Sequence, residues 1–228
     1  MRSKPNPAEG AETRSAKIAK ILSDRVVHGT YRPGERLIES ALSREFGVSH
    51  GPIRDALRIL EKVGLVTINS FRGAEVTEIS VREVNDLYQV RAALVSIRAK
   101  WIAQDPDRDA ILCAVNEHIA RLDALADEDS TAESFVAESF AVNNLLTDSL
   151  TNRWLRSTIQ ALTLQTSRYS RLALLASRDH RRESAHLWQA LLHAMMSGDG
   201  DLAEKVGAVL SLTARDAAIR YLTENGVK

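Results

Sequence analysis

Cysteine is nearly absent from this sequence. Among 228 residues only Cys113 occurs, so no internal disulfide is available and the composition suits a reducing cytosol. Net charge is absent too: 30 Lys and Arg residues balance 30 Asp and Glu residues, so no overall field selects a charged partner. No apolar run approaches the roughly 20 residues that a bilayer-spanning helix needs. The start, MRSKPNPAEG, lacks the apolar centre of a signal peptide. A soluble cytoplasmic protein with no membrane partner is expected. Nor does the chain show a Gly-rich phosphate loop, a nucleophile elbow, an H-E-x-x-H pair or paired-ligand spacing, so an enzyme is not expected.

What is present is organised in two parts. The chain is long enough for one large or two modest domains, and its cancelling charges are unevenly placed. Residues 1–78 hold 13 Lys/Arg against 10 Asp/Glu, and residues 79–228 hold 17 against 20. A mildly basic front suits a DNA-reading head, although many helical domains show such asymmetry by chance. Residues 1–12 carry Pro, Gly and charge without periodicity and read as a disordered arm. Ile18, Ile21, Leu22 and Val26 then give an amphipathic helix stopped by Gly29, and a Pro-Gly turn follows. A second short helix is expected to turn Ile38, Ala41, Leu42 and Phe46 inward before Gly47 ends it.

The stretch GVSHGPIRDALR (47–58) is the centre of this first part. Ser49 is a good N-cap residue, and Pro52 falls in the first turn, where its missing N–H does no harm. Ile53, Leu57, Leu60 and the Val63-Gly64 step mark one apolar face; His50, Gly51, Arg54 and Arg58 mark the other. A short helix with one buried stripe and a row of donors fits a DNA major groove. Alone, it would be better read as an ordinary surface helix with two arginines. The preceding helix and Gly-containing turn complete the outline of a helix-turn-helix. After Gly64, LVTIN and AEVTE alternate with a period of two around Ser70–Gly73, which predicts a two-stranded wing. Its tip carries Arg72 and Gly73. Arg72 is either a minor-groove contact or a solvated hairpin arginine.

With PGERL (33–37), LSREFGVS (42–49), GPIRDALRILEKVGLV (51–66) and RGAEV (72–76), residues 15–78 resemble the winged helix-turn-helix of the GntR family of bacterial transcription regulators. The resemblance implies DNA contacts from Ser40, Ser49, His50 and Arg54, and the helix face and wing tip add Gly51, Arg58, Arg72 and Gly73 as expected contacts. Arg54 stands at a family arginine. His50 and Gly51, by contrast, replace an Arg followed by Thr or Gln, so the preferred half-site is expected to differ from the family norm. The first domain is placed at 13–78.

Residues 79–228 show no strand pattern. An S-x-x-E capping box at Ser80–Glu83 opens them. Breaks at Asp105-Pro106 (N-cap and N1), 127–131, Thr151-Asn152, 177–179 and Gly198–Gly200 divide them into about six helices. With DLYQVRAAL (86–94), the Thr151-Asn152 turn and GDGDLAEKV (198–206), this part resembles the FCD effector domain of the FadR subfamily. The fold class is therefore mainly α: a winged helix-turn-helix followed by an all-helical bundle.

The FCD domain usually holds a metal through an Asp or Asn, a His four residues later, and two further His. Set in register on Thr151-Asn152 and Gly198-Asp199, those positions are Ser139, Asn143, Trp188 and Leu210, so loss of the metal and of any cofactor is expected. His186 and His193 lie roughly 10 Å apart along a helix, too far for one ion. His118 reads as a hydrogen-bonded core histidine. A pocket is nevertheless expected, with effector contacts from Arg91, Ser139, Asn143 and Trp188. Arg91 matches a family arginine on an apolar stripe, where it needs either an anionic ligand or an internal acid. The implied function is a homodimeric regulator of an inverted-repeat operator on double-stranded DNA, modulated by a small metabolite expected to be an organic acid, a carboxylate. The alternative is a regulator whose rear domain only dimerises.

Overall fold

The computed structural model describes residues 13–69, 73–78 and 80–227, and the chain divides into two compact units after Glu78. The expected arm at 1–12, and Arg72 at the wing tip, lie outside the described residues.

In the first unit α1 (Arg14–Val27) starts at Thr13, whose hydroxyl accepts the Ala16 N–H. Ile18, Leu22 and Val26 are buried, whereas Ile21 lies on the solvent edge of the stripe at 43% exposed. Gly29 takes a positive φ of 76°, which lets the chain leave the helix through a left-handed turn. Strand β1 (Arg36–Leu37) precedes α2 (Glu39–Phe46), which ends at Gly47 in the αL region. Two expectations for α2 fail. Ile38 is 60% exposed and Ala41 is exposed, while Ser43 and Leu42 face inward. The helix is short and begins after Ile38, so a stripe counted from that residue is one step out of phase. Helix α3 (His50–Lys62) buries Ile53, Ala56, Leu57 and Leu60.

Strands β2 (Val66–Asn69) and β3 (Gly73–Val76) form the wing, with Val66 opposite Val76 and Asn69 opposite Gly73. The sheet has three strands rather than two, in the order β1-β3-β2, because Leu37 pairs with Ala74 and buries its side chain. A two-residue strand is too short to show alternation in sequence.

The second unit holds α4 (Val81–Gln104), α5 (Arg108–Leu125), a 3-10 turn (Asp129–Thr131), α6 (Ala132–Asp148), α7 (Arg153–Ala176), α8 (Arg178–Met196) and α9 (Gly200–Glu224). The Ser80–Glu83 capping box is formed in both directions. Asn152, Ser177 and Asp199 cap α7, α8 and α9 with their side chains. Helix α5 begins two residues later than expected: Asp105 Oδ1 accepts the Asp107 N–H at 2.9 Å, leaving Pro106 in the turn.

Phe135, Leu122, Leu146, Leu191 and Met195 fill the bundle core, each contributing about 1.5–3 kcal/mol of burial. Along the α4–α9 seam, Gly207 lets the backbones close up. A Cβ there would stand 3.2 Å from the Ala99 Cβ and 3.4 Å from the Ser96 Cα. No helix among the described residues is long and apolar enough to cross a membrane.

Candidate functional site

Two surfaces emerge, one in each unit. On α3 the residues opposite the buried stripe (His50, Gly51, Arg54 and Arg58) are all exposed, and so are Ser40 on α2 and Ser49 at the N-cap of α3. Ser49 uses its position rather than its hydroxyl, because no side-chain cap bond forms. That leaves the hydroxyl free to meet another acceptor or donor. Gly47-Val48-Ser49-His50-Gly51 has the spelling G-x-S-x-G but is no nucleophile elbow, because it joins α2 to α3 instead of a strand to a helix. Gly51 leaves open space where a side chain would stand, so a flat surface can approach α3 closely there.

Arg54 is not free. Its Nε donates to Glu39 Oε2 at 2.8 Å, and His50 Nδ1 lies 3.7 Å from that same oxygen. Among the described residues Arg58 has no acidic partner. The wing residue Gly73 is exposed with φ of 76°. A short helix presenting cationic and hydroxyl donors above a packed unit is suited to a groove lined by acceptors.

The second surface is a partly open cavity of about 60 Å³ within the helical unit. At roughly 10–15 Å³ per water centre, that is room for about four to six waters or a comparably small ligand. Ser139 and Asn143 (α6), Trp188 (α8), Leu210 (α9) and Arg91 (α4) all reach this one cavity. Helical spacing explains the convergence: Ser139 and Asn143 stand one turn apart on the inward face of α6. Trp188 Nε1 donates to Ser139 Oγ at 3.3 Å. Asn143 Oδ1 accepts from Arg91 Nη2 at 3.3 Å and from Arg98 Nη1 at 3.0 Å. Arg91 Nη1 also donates to Ser211 Oγ at 3.1 Å.

Sequence reasoning missed Arg98. It stands seven residues after Arg91, on the same face of α4, and is only 2% exposed. Nη1 donates further to the Asn143 carbonyl at 3.1 Å and to Thr147 Oγ1 at 2.6 Å. Burial, with the nearby Arg91 charge adding to it, pushes its pKa down to about 9. Burial likewise lowers that of Arg91, with Tyr88 opposing. His180 was missed as well. It lines the cavity, and burial, assisted by the Arg220 charge, holds its pKa down to about 4, so the imidazole is neutral near pH 7.

A divalent metal does not fit this donor set. Ser139 Oγ is engaged by an indole N–H, and Asn143 Oδ1 by two guanidinium groups whose charge repels a cation. Trp188 and Leu210 supply no lone pair suited to a metal. The other histidines stand apart: His186 and His193 are exposed. His118 is only half-buried and binds Glu138 Oε2 through Nδ1 at 2.5 Å, at the edge of the core rather than inside it.

The model of the "Bacterial regulatory proteins, gntR family" matches residues 14–76, and that of the FCD domain matches residues 86–209. An uncharacterised HTH-type transcriptional regulator of Bacillus subtilis, YdhC, is 33% identical over 90 residues, a stretch that spans 40% of each chain. BphR, an uncharacterised HTH-type transcriptional regulator of Paraburkholderia xenovorans, is 26% identical over 183 residues, covering 77% of this chain and 74% of that one. Among solved structures, McbR/YncC of E. coli superposes with a TM-score of 0.75 at 18% identity, covering 94% of this chain and all of that one.

Proposed function

The chain belongs to the GntR family of bacterial regulatory proteins and carries an FCD domain, which makes it a DNA-binding transcription regulator and not an enzyme. From that premise we propose that it works in the cytoplasm as a homodimer on an inverted-repeat operator, under the control of a small metabolite held in the helical unit. Two copies are required because one short recognition helix reads only a few base pairs. In this reading α3 enters the major groove, with Arg54, Arg58, His50 and Ser49 as contacts and Gly51 permitting close approach. Ser40 and the wing residues Arg72 and Gly73 meet the flanking backbone or minor groove.

The observation that supports metabolite control is Arg91. Its guanidinium is half-buried in the bundle and, among the described residues, hydrogen-bonds only to the neutral oxygens of Ser211 and Asn143. An arginine so placed is stabilised by an anionic ligand. Ser139 and Asn143 would supply the polar wall and Trp188 an apolar one. The replaced metal-ligand positions favour a second reading, in which the helical unit only dimerises. Operator binding measured by fluorescence anisotropy across a panel of small organic acids separates the two. Under the first reading, at least one acid shifts operator affinity in the wild type and none does so in Arg91→Ala. Unchanged affinity throughout supports the second.

A further inference from the structure

Within the helical unit the buried Arg181 finds a carboxylate, whereas the buried Arg168 forms no ion pair among the described residues. Arg181, fully buried, donates to Asp129 Oδ1 at 2.6 Å and to the Leu174 carbonyl at 2.8 Å. The two arginines facing the cavity do not. Arg91 and Arg98 bind amide, hydroxyl and carbonyl oxygens, and neither forms an ion pair among the described residues. The Nε of each is sealed from solvent without a partner. Among the described residues no Asp or Glu lines the cavity, and His180 is the other ionisable side chain on its wall. Both guanidinium groups donate to the one oxygen of Asn143, so their nitrogens lie within two hydrogen-bond lengths of each other.

Two like charges this close, Arg98 buried and Arg91 half-buried, are costly unless an opposing charge enters. Resting on the reading of the cavity as an effector site, we propose that Arg98 is its charge-selecting residue. With Arg91 it forms a metal-free clamp for a small doubly charged anion. Asn143 braces the pair, since its Oδ1 takes one N–H from each arginine while its Nδ2 donates to Thr163 Oγ1 at 3.4 Å. The clamp occupies the wall where a metal would otherwise neutralise the ligand. Phe140, Leu174, Leu191 and Leu210 make the remaining surface apolar, which favours a compact carbon skeleton between two acidic groups.

Isothermal titration calorimetry of the full chain at pH 8 and matched ionic strength tests this. The dianion probes are malonate, succinate and inorganic phosphate; the monoanion probes are acetate and propionate. The expected result is that at least one dianion binds wild type roughly tenfold or more tightly than either monoanion. Arg98→Gln should bring that ratio close to one, and Arg98→Lys, which keeps the charge, should retain most of it. Should Arg98→Gln fail to fold, the wild-type ratio and the lysine variant decide. Equal binding of both charge classes by wild type overturns the clamp but leaves the effector cavity intact. No binding of any probe at millimolar concentration overturns both. Binding that appears only after a divalent metal is added also overturns the clamp.

Discussion

Glu39 and Arg54 form an ion pair, Oε2 to Nε at 2.8 Å, that ties the first turn of α2 to the exposed face of α3. The pair uses only Nε, and the two Nη groups of Arg54 make no protein hydrogen bond among the described residues. Glu39 therefore orients the guanidinium while leaving its fork for an acceptor outside the chain. The same carboxylate places a negative charge beside a surface proposed to meet phosphates.

These two roles predict opposite outcomes for two substitutions. Arg54→Ala should weaken specific operator binding by about 1–3 kcal/mol if the fork reads a base. Glu39→Gln should strengthen binding to unrelated duplex, by removing repulsion, and narrow the gap between operator and random DNA. Anisotropy titrations of both duplexes at fixed salt check this; parallel losses on both duplexes for Arg54→Ala would reduce Arg54 to a phosphate contact.

The neutral His180 makes stability depend on pH. Its folded pKa of about 4 lies below the ordinary value of 6.5, so the unfolded chain binds the extra proton between those limits. Stability is then full above about pH 6.5 and falls as pH drops towards 4, by up to about 3 kcal/mol. Urea midpoints measured across this window should slope downward on acidification for wild type and flatten for His180→Gln. An identical slope in the variant would assign the loss to other groups.

Much of this was legible from sequence, and the failures have specific causes. The Ser80 capping box marked a helix start, and the breaks at Thr151-Asn152, 177–179 and Gly198–Gly200 contain the residues whose oxygens cap α7, α8 and α9. Asp105, read as an N-cap, instead binds within the turn before α5. Ser139, Asn143, Trp188 and Leu191 could be placed on inward stripes because helical spacing fixes which residues share a face, whereas Leu210 followed from the family register alone. Arg98 could not be assigned a role that way. An arginine in a helix is ordinarily solvated, and only packing of α6 and α9 around α4 encloses this one. Strand β1 was invisible for a similar reason: two residues become a strand only when β3 offers a partner.

The close α4–α9 seam, which also borders the cavity at Gly207, supplies a stability test. Gly207→Leu forces a side chain into the space where a Cβ alone would already stand 3.2 Å from Ala99. A loss of about 1–3 kcal/mol in urea unfolding is expected. An unchanged midpoint would show that the two helices can separate without cost.

Elemental analysis of purified protein is expected to find no stoichiometric transition metal, and added zinc should not raise the melting temperature. A tightly held ion whose loss follows Asn143→Ala would place a metal beside the two arginines and refute the charge argument made for the cavity.

The most direct test of DNA reading by α3 is selection of bound duplexes from a randomised pool by the full chain, with Arg54→Ala selected in parallel. Enrichment of one inverted repeat by wild type, with the preferred base lost symmetrically in both half-sites for Arg54→Ala, is the expected result. Enrichment of no palindrome by wild type, or the same repeat at full strength from both proteins, would contradict it.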